Sequence, residues 1–163
     1  MGELAQAAAF LFQEARYLDR HQWDAWVAMY REDAVYWLPA WRDEYETIDD
    51  PQTEVSMIYH NSRLGLEERI ARIESRKSIT ALPLPRTLHL IGNVELRAVS
   101  AAQVETEASF AVHVYEPRTA KEHTRYGRYQ HRISTDGDSW RIAMKKIILV
   151  NDKVPAVLDF YSI

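Results

Sequence analysis

The chain has 163 residues, of which 47% are hydrophobic and 27% are charged, with a formal net charge of -4, a pI near 5.9 and no cysteine. This length suits one domain over residues 1–163, and the hydrophobic fraction is too high for a disordered chain. The acidic balance argues against a nucleic-acid-binding protein, which needs basic residues to replace the counterions on phosphates. The absence of cysteine excludes disulfides, thiol nucleophiles and a self-contained iron–sulfur cluster.

The sequence carries no membrane signal. No run approaches the roughly 18 apolar residues of a membrane-spanning helix. Residues 2–12 lack the basic start and the small-residue cleavage site of a signal peptide. We therefore expect a cytoplasmic protein with no membrane partner.

The N-terminal part predicts two helices and a buried strand. Five apolar residues recur at helical spacing over residues 3–20, namely Leu4, Ala8, Leu11, Ala15 and Leu18. Four more share one face of a second helix, namely Trp23, Trp26, Val27 and Tyr30. The apolar run Ala34 to Leu38 then predicts a buried strand, which should end at Pro39 or lie on an edge because proline has no N–H for a sheet ladder.

The middle of the chain predicts an exposed loop, a short strand and a third helix. Arg42 to Glu54 is strongly acidic, but it lacks the regular oxygen spacing and the turn glycine of a calcium loop, so a solvated loop is favoured. A strand follows around Val55 to Tyr59. The third helix buries Leu66, Ile70 and Ile73 and places Arg72, Arg76 and Lys77 toward its end, as the helix dipole favours. Thr80 to Arg86 contains two prolines and breaks the helix.

The remaining sequence alternates with a period of two and predicts four long strands. The first has Leu88, Leu90, Gly92, Val94 and Leu96 on one face. The second has Val104, Thr106, Ala108, Phe110, Val112 and Val114. The third has Arg125, Gly127, Tyr129, His131 and Ile133. After a turn in which Gly137 should supply a positive φ, the fourth has Trp140, Ile142, Met144, Lys146 and Ile148. These strands should form an antiparallel meander.

Helices first and hairpin-connected strands afterward indicate an α+β domain, with the helices laid on one face of a strongly bent, mostly antiparallel mixed sheet. Such a sheet can close around a cavity, so the fold permits an enzyme, a binding protein or a scaffold.

Four segments in order, residues 14–41, 50–73, 85–96 and 140–163, resemble the small (β) subunit of aromatic-ring-hydroxylating dioxygenases. Those proteins have the cone-shaped fold of nuclear transport factor 2 and ketosteroid isomerase. The pattern is most similar to the benzoate and anthranilate branch.

The resemblance implies a structural subunit with a catalytic α subunit as its partner. That partner would carry a Rieske [2Fe-2S] cluster and a mononuclear non-heme iron. The small subunits would form the trimeric base of an α3β3 hexamer, with electrons supplied by an NADH-dependent reductase. It implies no catalytic, cofactor-binding or metal-binding residue in this chain.

Three alternatives remain beside this interpretation. His89, His113, His123 and His131 lie on or beside neighbouring strands, but no spacing typical of metal ligands links them. A stand-alone isomerase or dehydratase could use Asp33 or His89 as its base and Tyr30, Tyr36 and Tyr129 as donors. A binding module for a small apolar ligand is the third.

Three further expectations concern packing and assembly. Trp37 and Trp140 should be structural, because each falls in a predicted strand. Trimer contacts should use matching charges on adjacent strands, namely Glu105, Glu107, Arg141 and Lys145. The C-terminal Val157, Leu158, Phe160 and Tyr161 should dock on their own or a neighbouring subunit.

Overall fold

Three α-helices and six strands make up the part of the chain that the computed structural model describes, residues 2–75, 83–153 and 158–163. In chain order they are α1 (Glu3–Asp19), α2 (Trp23–Val27), β1 (Tyr30–Pro39), β2 (Ser56–His60), α3 (Leu64–Ser75), β3 (Arg86–Val99), β4 (Gln103–Glu116), β5 (Lys121–Ser134), β6 (Arg141–Leu149) and a 3-10 turn (Phe160–Ser162). The predictions for Arg76, Lys77, Val157 and the start of the Thr80–Arg86 connection lie outside the described residues.

The six strands form one curled sheet in the order β2-β1-β6-β5-β4-β3. Strands β3 to β6 form the predicted antiparallel meander. Strand β1 lies parallel to β6 and antiparallel to β2, so the sheet is mixed. The predicted α+β class is therefore confirmed, and β1 ends at Pro39 as expected.

The inner face of the sheet and the helices enclose the core. The predicted inward residues of β4 and β5 are all buried, and Leu11 of α1 packs against Ala108 and Ile133. Leu18 of α1 and Trp26 of α2 join the main core cluster. The first two helices thus cover the concave side of the sheet.

Two irregularities reverse the predicted faces of the outer parts of β3 and β6. Asn93 has a φ of 51°, a left-handed conformation that asparagine tolerates better than most residues. The β3–β4 register shifts there, so Leu88 and Leu90 face outward with 54% and 52% exposure, while Leu96 beyond the shift pairs with the buried Thr106. The five residues predicted on one face are therefore divided between two. In β6 one extra residue, Ala143, lies between Ile142 and Met144 in the pairing with β5.

The bulge at Ala143 changes which side chains of β6 face the core. Ile142 is buried as predicted, but beyond the bulge the inward residues are Lys145, Ile147 and Leu149, so the face predicted to contain Met144 and Lys146 is wrong.

Three local predictions were also wrong. Helix α2 ends at Val27, and Tyr30 begins β1 because the Met29 carbonyl accepts from the Ile142 N–H at 2.7 Å in parallel pairing with β6. Gly137 has no positive φ, since the connection over residues 135–140 is long enough to reverse without one. Trp140 lies before β6 and is only half-buried.

Truncation of Trp37 should destabilise the fold. The side chain is 8% exposed, its indole N–H donates to Ser56 Oγ at 2.9 Å, and the Lys146 ammonium lies 4.6 Å from its ring centroid. Trp37→Ala should lower the free energy of unfolding by about 3–5 kcal/mol, the usual range for a buried large-to-small change. Urea unfolding measures it, with the half-buried Trp140→Ala as control. Equal losses in the two variants would contradict this account.

Candidate functional site

A buried carboxylate, Glu14, is the centre of the cone. It lies on the apolar face of α1, three residues after Leu11 and four before Leu18, and is only 2% exposed. Its Oε2 accepts hydrogen bonds from the Trp26 indole N–H at 3.1 Å and the Tyr30 hydroxyl at 2.5 Å. Groups from α2 and β1 therefore converge on one carboxylate of α1.

Two further partners of Glu14, one lysine and one histidine, come from the sheet. The ammonium of Lys145 lies 3.1 Å from both carboxylate oxygens. The ring nitrogen Nε2 of His131 lies 3.1 Å from Oε1, so this nitrogen carries the proton that the carboxylate accepts. Lys145 comes from β6 and His131 from β5, and both side chains are essentially inaccessible.

The charges in this centre stabilise one another. Burial opposes ionisation of Glu14, but the Lys145 charge and the hydrogen bonds from His131 and Tyr30 outweigh it and hold the pKa of this carboxyl well below its usual range. Burial lowers the pKa of His131, which therefore stays neutral near pH 7 despite the neighbouring carboxylate. The centre is accordingly an ion pair of Glu14 with Lys145, flanked by a neutral imidazole.

Three tyrosines surround the ion pair. Burial, together with the negative charge of Glu14, raises the pKa of Tyr30, Tyr36 and Tyr129 well above the ordinary value, so all three are neutral phenols. The Lys145 ammonium lies 4.2 Å from the centroid of Tyr129 and 6.0 Å from that of Tyr36. Among the described residues, the hydroxyls of Tyr36 and Tyr129 have no hydrogen-bond partner.

The structure brings together only part of the predicted isomerase site. Tyr30, Tyr36 and Tyr129 do meet inside the cone. Asp33 does not, because its side chain is 71% exposed and binds Arg31 at 2.8 Å, so the assignment of Asp33 as a buried base is wrong. His89 is buried elsewhere, with Nδ1 2.5 Å from Asp19 Oδ1.

Sequence reasoning missed the two charged members of the centre. Glu14 interrupts the apolar stripe of α1, and a carboxylate at such a position is a signal of a buried partner. Lys145 was assigned to an outer face because the bulge at Ala143 leaves no mark in the sequence. The predicted trimer contact through Lys145 is therefore wrong.

The rest of the predicted charge pattern also differs. Strand β5 separates β4 from β6, so Glu105 and Glu107 do not face Arg141 on an adjacent strand. Glu105 instead pairs with Arg132 at 3.4 Å. Glu107 accepts a hydrogen bond from Gln130 at 3.2 Å.

No metal site forms in the described ranges. Within residues 2–75, 83–153 and 158–163, no three His, Asp or Glu side chains are grouped so that they could hold an ion. In the acidic loop, Glu54 and Asp49 bind Arg42, while Asp43 and Asp50 accept from backbone N–H groups. No helix in these ranges is long and apolar enough to cross a membrane.

The sequence model described as the ring hydroxylating β subunit matches residues 13–156. The chain belongs to this family. It is 37% identical to the small subunit of 2-halobenzoate 1,2-dioxygenase from Burkholderia cepacia over 95% of this chain and 93% of the relative. It is 38% identical to the small subunit of anthranilate 1,2-dioxygenase from Acinetobacter baylyi over 94% and 93%. The resemblance found in the sequence is thus confirmed, and the protein is a β subunit of a ring-hydroxylating dioxygenase.

Solved structures support the same fold for this β subunit. The benzoate 1,2-dioxygenase β subunit from Burkholderia mallei matches with a TM-score of 0.84 and 33% identity over 100% of this chain and 99% of that one. A putative scytalone dehydratase from Novosphingobium aromaticivorans matches with a TM-score of 0.68 at 12% identity, over 90% of this chain and 83% of that one, which shows a shared fold alone. The predicted cone of the nuclear transport factor 2 type is therefore confirmed.

Removing the charge of Glu14 should strongly destabilise the β subunit. Glu14→Gln leaves the Lys145 ammonium buried without a counter-charge, so the free energy of unfolding should fall by about 3–5 kcal/mol. Replacing both residues, Glu14→Met with Lys145→Met, should recover the part of that loss that comes from the unpaired ammonium, while the donors of Trp26, Tyr30 and His131 lose their acceptor. Urea unfolding at pH 7 measures both variants, with the exposed Asp33→Asn as control. If Glu14→Gln unfolds as the control does, the ion pair contributes little.

Acid should weaken the fold through the same centre. The pKa of Glu14 is lowered on folding, so its stabilisation is present above the ordinary value of 4.5 and is lost as the pH falls through and below that value. The pKa of His131 is also lowered, which adds a loss beginning near pH 6.5. Between pH 5 and 3, the Glu14→Met/Lys145→Met variant should lose less stability than wild type. Parallel pH profiles from urea unfolding would contradict this assignment.

Proposed function

We propose that this chain is the structural β subunit of an oxygenase component that acts on a monocyclic aromatic acid of the benzoate or anthranilate type. In this proposal it is a single cytoplasmic domain that assembles and stabilises the catalytic α subunits, and it contributes no catalytic, cofactor-binding or metal-binding residue. The observation that carries the proposal is its nearly full-length similarity to small subunits of dioxygenases for benzoate-type acids.

The substrate class rests on four relatives. Their names give 2-halobenzoate, anthranilate, toluate and benzoate as the compounds oxidised, and their identities to this chain are 35–38%. The small component for p-cumate is less similar, at 25%. All these compounds carry a carboxylate on one benzene ring, which supports a monocyclic aromatic acid here.

The redox groups of the oxygenase are assigned to the partner chain because the residues of this one do not fit them. A Rieske [2Fe-2S] cluster needs two cysteines beside its two histidines, and this sequence has no cysteine. The mononuclear iron needs a facial set of two histidines and a carboxylate, and the described residues provide no such group. We therefore place both groups in an α subunit, reduced by an NADH-dependent reductase.

The filled interior supports a structural role. The cone contains an ion pair, packed aromatic rings and the C-terminal Phe160, which is fully buried. A catalytic cone would have to admit substrate to a base. The buried carboxylate of Glu14 already accepts hydrogen bonds from Trp26, Tyr30 and His131 and forms an ion pair with Lys145. This centre is suited to holding the helices on the sheet.

The outer face of the sheet is the proposed contact between β subunits in an α3β3 hexamer. Leu88, Leu90 and Tyr126 are 54%, 52% and 46% exposed on β3 and β5, and they point away from the core. Leu90 pairs with Ala111 of β4, which in turn pairs with Tyr126, so Leu90 and Tyr126 belong to one row across three strands. Polar Arg128 and Arg132 continue this face along β5. A small apolar patch with a polar rim is typical of such contacts.

Co-expression with a large iron–sulfur subunit tests this role. The two chains should copurify, with a mass by size-exclusion and light scattering that corresponds to three copies of each. Leu90→Glu should reduce the assembly to smaller species, because it places a charge in the proposed trimer contact. Tyr45→Glu is the matched control, since Tyr45 is 85% exposed on the 42–54 loop, which is not part of strands β3 to β5.

A second preparation, of this chain expressed on its own, tests whether it is catalytic alone. Without a partner it should contain no stoichiometric iron and show no oxygenase, isomerase or dehydratase turnover. A small subunit that stays monomeric in the wild-type complex, or turnover by the isolated chain, would refute the proposal.

A further inference from the structure

The C-terminal segment Leu158–Ile163 closes the cone of its own chain. Phe160 and Ile163 are 0% exposed. The Phe160 ring stacks on Trp26, with centroids 4.7 Å apart and an interplanar angle of 12°, and meets Trp23 edge-on at 5.1 Å. The segment therefore docks intramolecularly and inserts one aromatic ring between two tryptophans.

Polar contacts from three different elements hold this segment in place. Arg69 of α3 binds Asp159 at 3.2 Å, and the same Asp159 oxygen accepts from the Phe160 N–H at 2.8 Å. Arg125 of β5 donates to the Ser162 carbonyl at 3.3 Å and to its hydroxyl. His89 Nε2 of β3 lies 3.4 Å from the Ile163 carbonyl oxygen. None of these contacts belongs to the backbone hydrogen-bond ladder of the sheet. Side chains of α3, β3 and β5 therefore hold the segment in place.

The core cluster that receives Phe160 contains donors without acceptors. Tyr36 and Tyr129 belong to the same cluster as Trp23, Trp26 and Phe160, and their buried hydroxyls have no partner among the described residues. Tyr36 also lies edge-on to Trp26, at 6.3 Å. An unpaired buried hydroxyl carries a free-energy penalty that a suitable acceptor would remove. Tryptophan walls with nearby phenol donors would suit an aromatic molecule that has an oxygen acceptor.

We propose that Leu158–Ile163 acts as an internal ligand that closes a latent site for a monocyclic aromatic molecule bearing a hydroxyl group. The ligand would take the position of the Phe160 ring against Trp26, with its oxygen toward the Tyr36 hydroxyl. The inference goes beyond the subunit function and does not depend on it. A chain that failed to assemble with a large subunit would still show this site, so the two proposals fail separately.

Phenol binding to the full chain with Phe160→Ala tests the site. Removing the ring opens an aromatic-sized cavity while the Asp159 contacts remain, and apolar cavities of this size bind small aromatic molecules. Phenol near saturation should raise the melting temperature of the variant by on the order of 5 °C and leave wild type unchanged. Cyclohexanol, which has the same size but no aromatic ring, should have less than half that effect.

A second substitution tests the polar part of the site. Toluene, which has no hydroxyl group, serves as a second probe. In the Phe160→Ala background, Tyr36→Phe should reduce the rise in melting temperature caused by phenol to the rise caused by toluene, because the hydroxyl donor that distinguishes the two probes is gone. A phenol effect that Tyr36→Phe leaves unchanged would overturn the placement of the hydroxyl.

Asp159→Ala provides an independent route should Phe160→Ala fail to fold. This variant loses the Arg69 ion pair and the cap of the 3-10 turn but keeps every core ring. Phenol should change its tryptophan fluorescence and accelerate hydrogen exchange of residues 158–163, with no such change in wild type. The proposal is overturned if neither variant binds phenol, or if wild type binds it equally, which would indicate a site elsewhere.

Discussion

The buried ion pair between Glu14 and Lys145 is the constraint on which the rest of the cone depends. Taking two charges out of water costs several kcal/mol per ion, and that loss is offset only when the remaining hydrogen-bonding capacity is also satisfied. Here the donors come from α2, β1, β5 and β6, while the carboxylate comes from α1. Each of these elements must therefore reach its native position before the pair becomes favourable, which couples the helical layer to the sheet.

This centre also shows how much the interior of one fold depends on its side chains. The putative dehydratase with a TM-score of 0.68 shares the cone at 12% identity, so this backbone forms with very few of the same side chains. In this chain the interior is occupied by Trp26, three tyrosines and Phe160 around a charge-paired carboxylate. The contents of the cone are thus a property of the side chains and not of the backbone shape.

The sequence predicted those features that follow from regular periodicity. Apolar spacing predicted the inward faces of β4 and β5 and the buried face of α3. The docking of the C-terminal residues was predicted because a terminal segment stays ordered only when it packs on something. It did not predict the faces of β3 and β6, because a single extra residue or one left-handed asparagine reverses the alternation without changing the composition. For that reason Leu90 was grouped on one face with Leu96, and Lys145 was assigned to the outer face. Asp33 was one of two candidate bases, and the sequence alone gives no geometry that would reveal its exposure.

The buried position of Lys145 shows how the ion pair with Glu14 fixes the register of β6. A strand that slips by one residue moves every side chain to the other face. Without the bulge at Ala143, Met144 and Lys146 would face the core, Lys145 would face outward, and the carboxylate of Glu14 would lose its direct ammonium partner. A hydrophobic core accepts many residues of similar volume, so apolar packing alone discriminates weakly between two registers that both bury aliphatic side chains. A buried carboxylate discriminates strongly, because the wrong register leaves it short of a counter-charge. The ion pair thus favours the bulged register, and with it the surface that β6 presents on the outer face of the sheet.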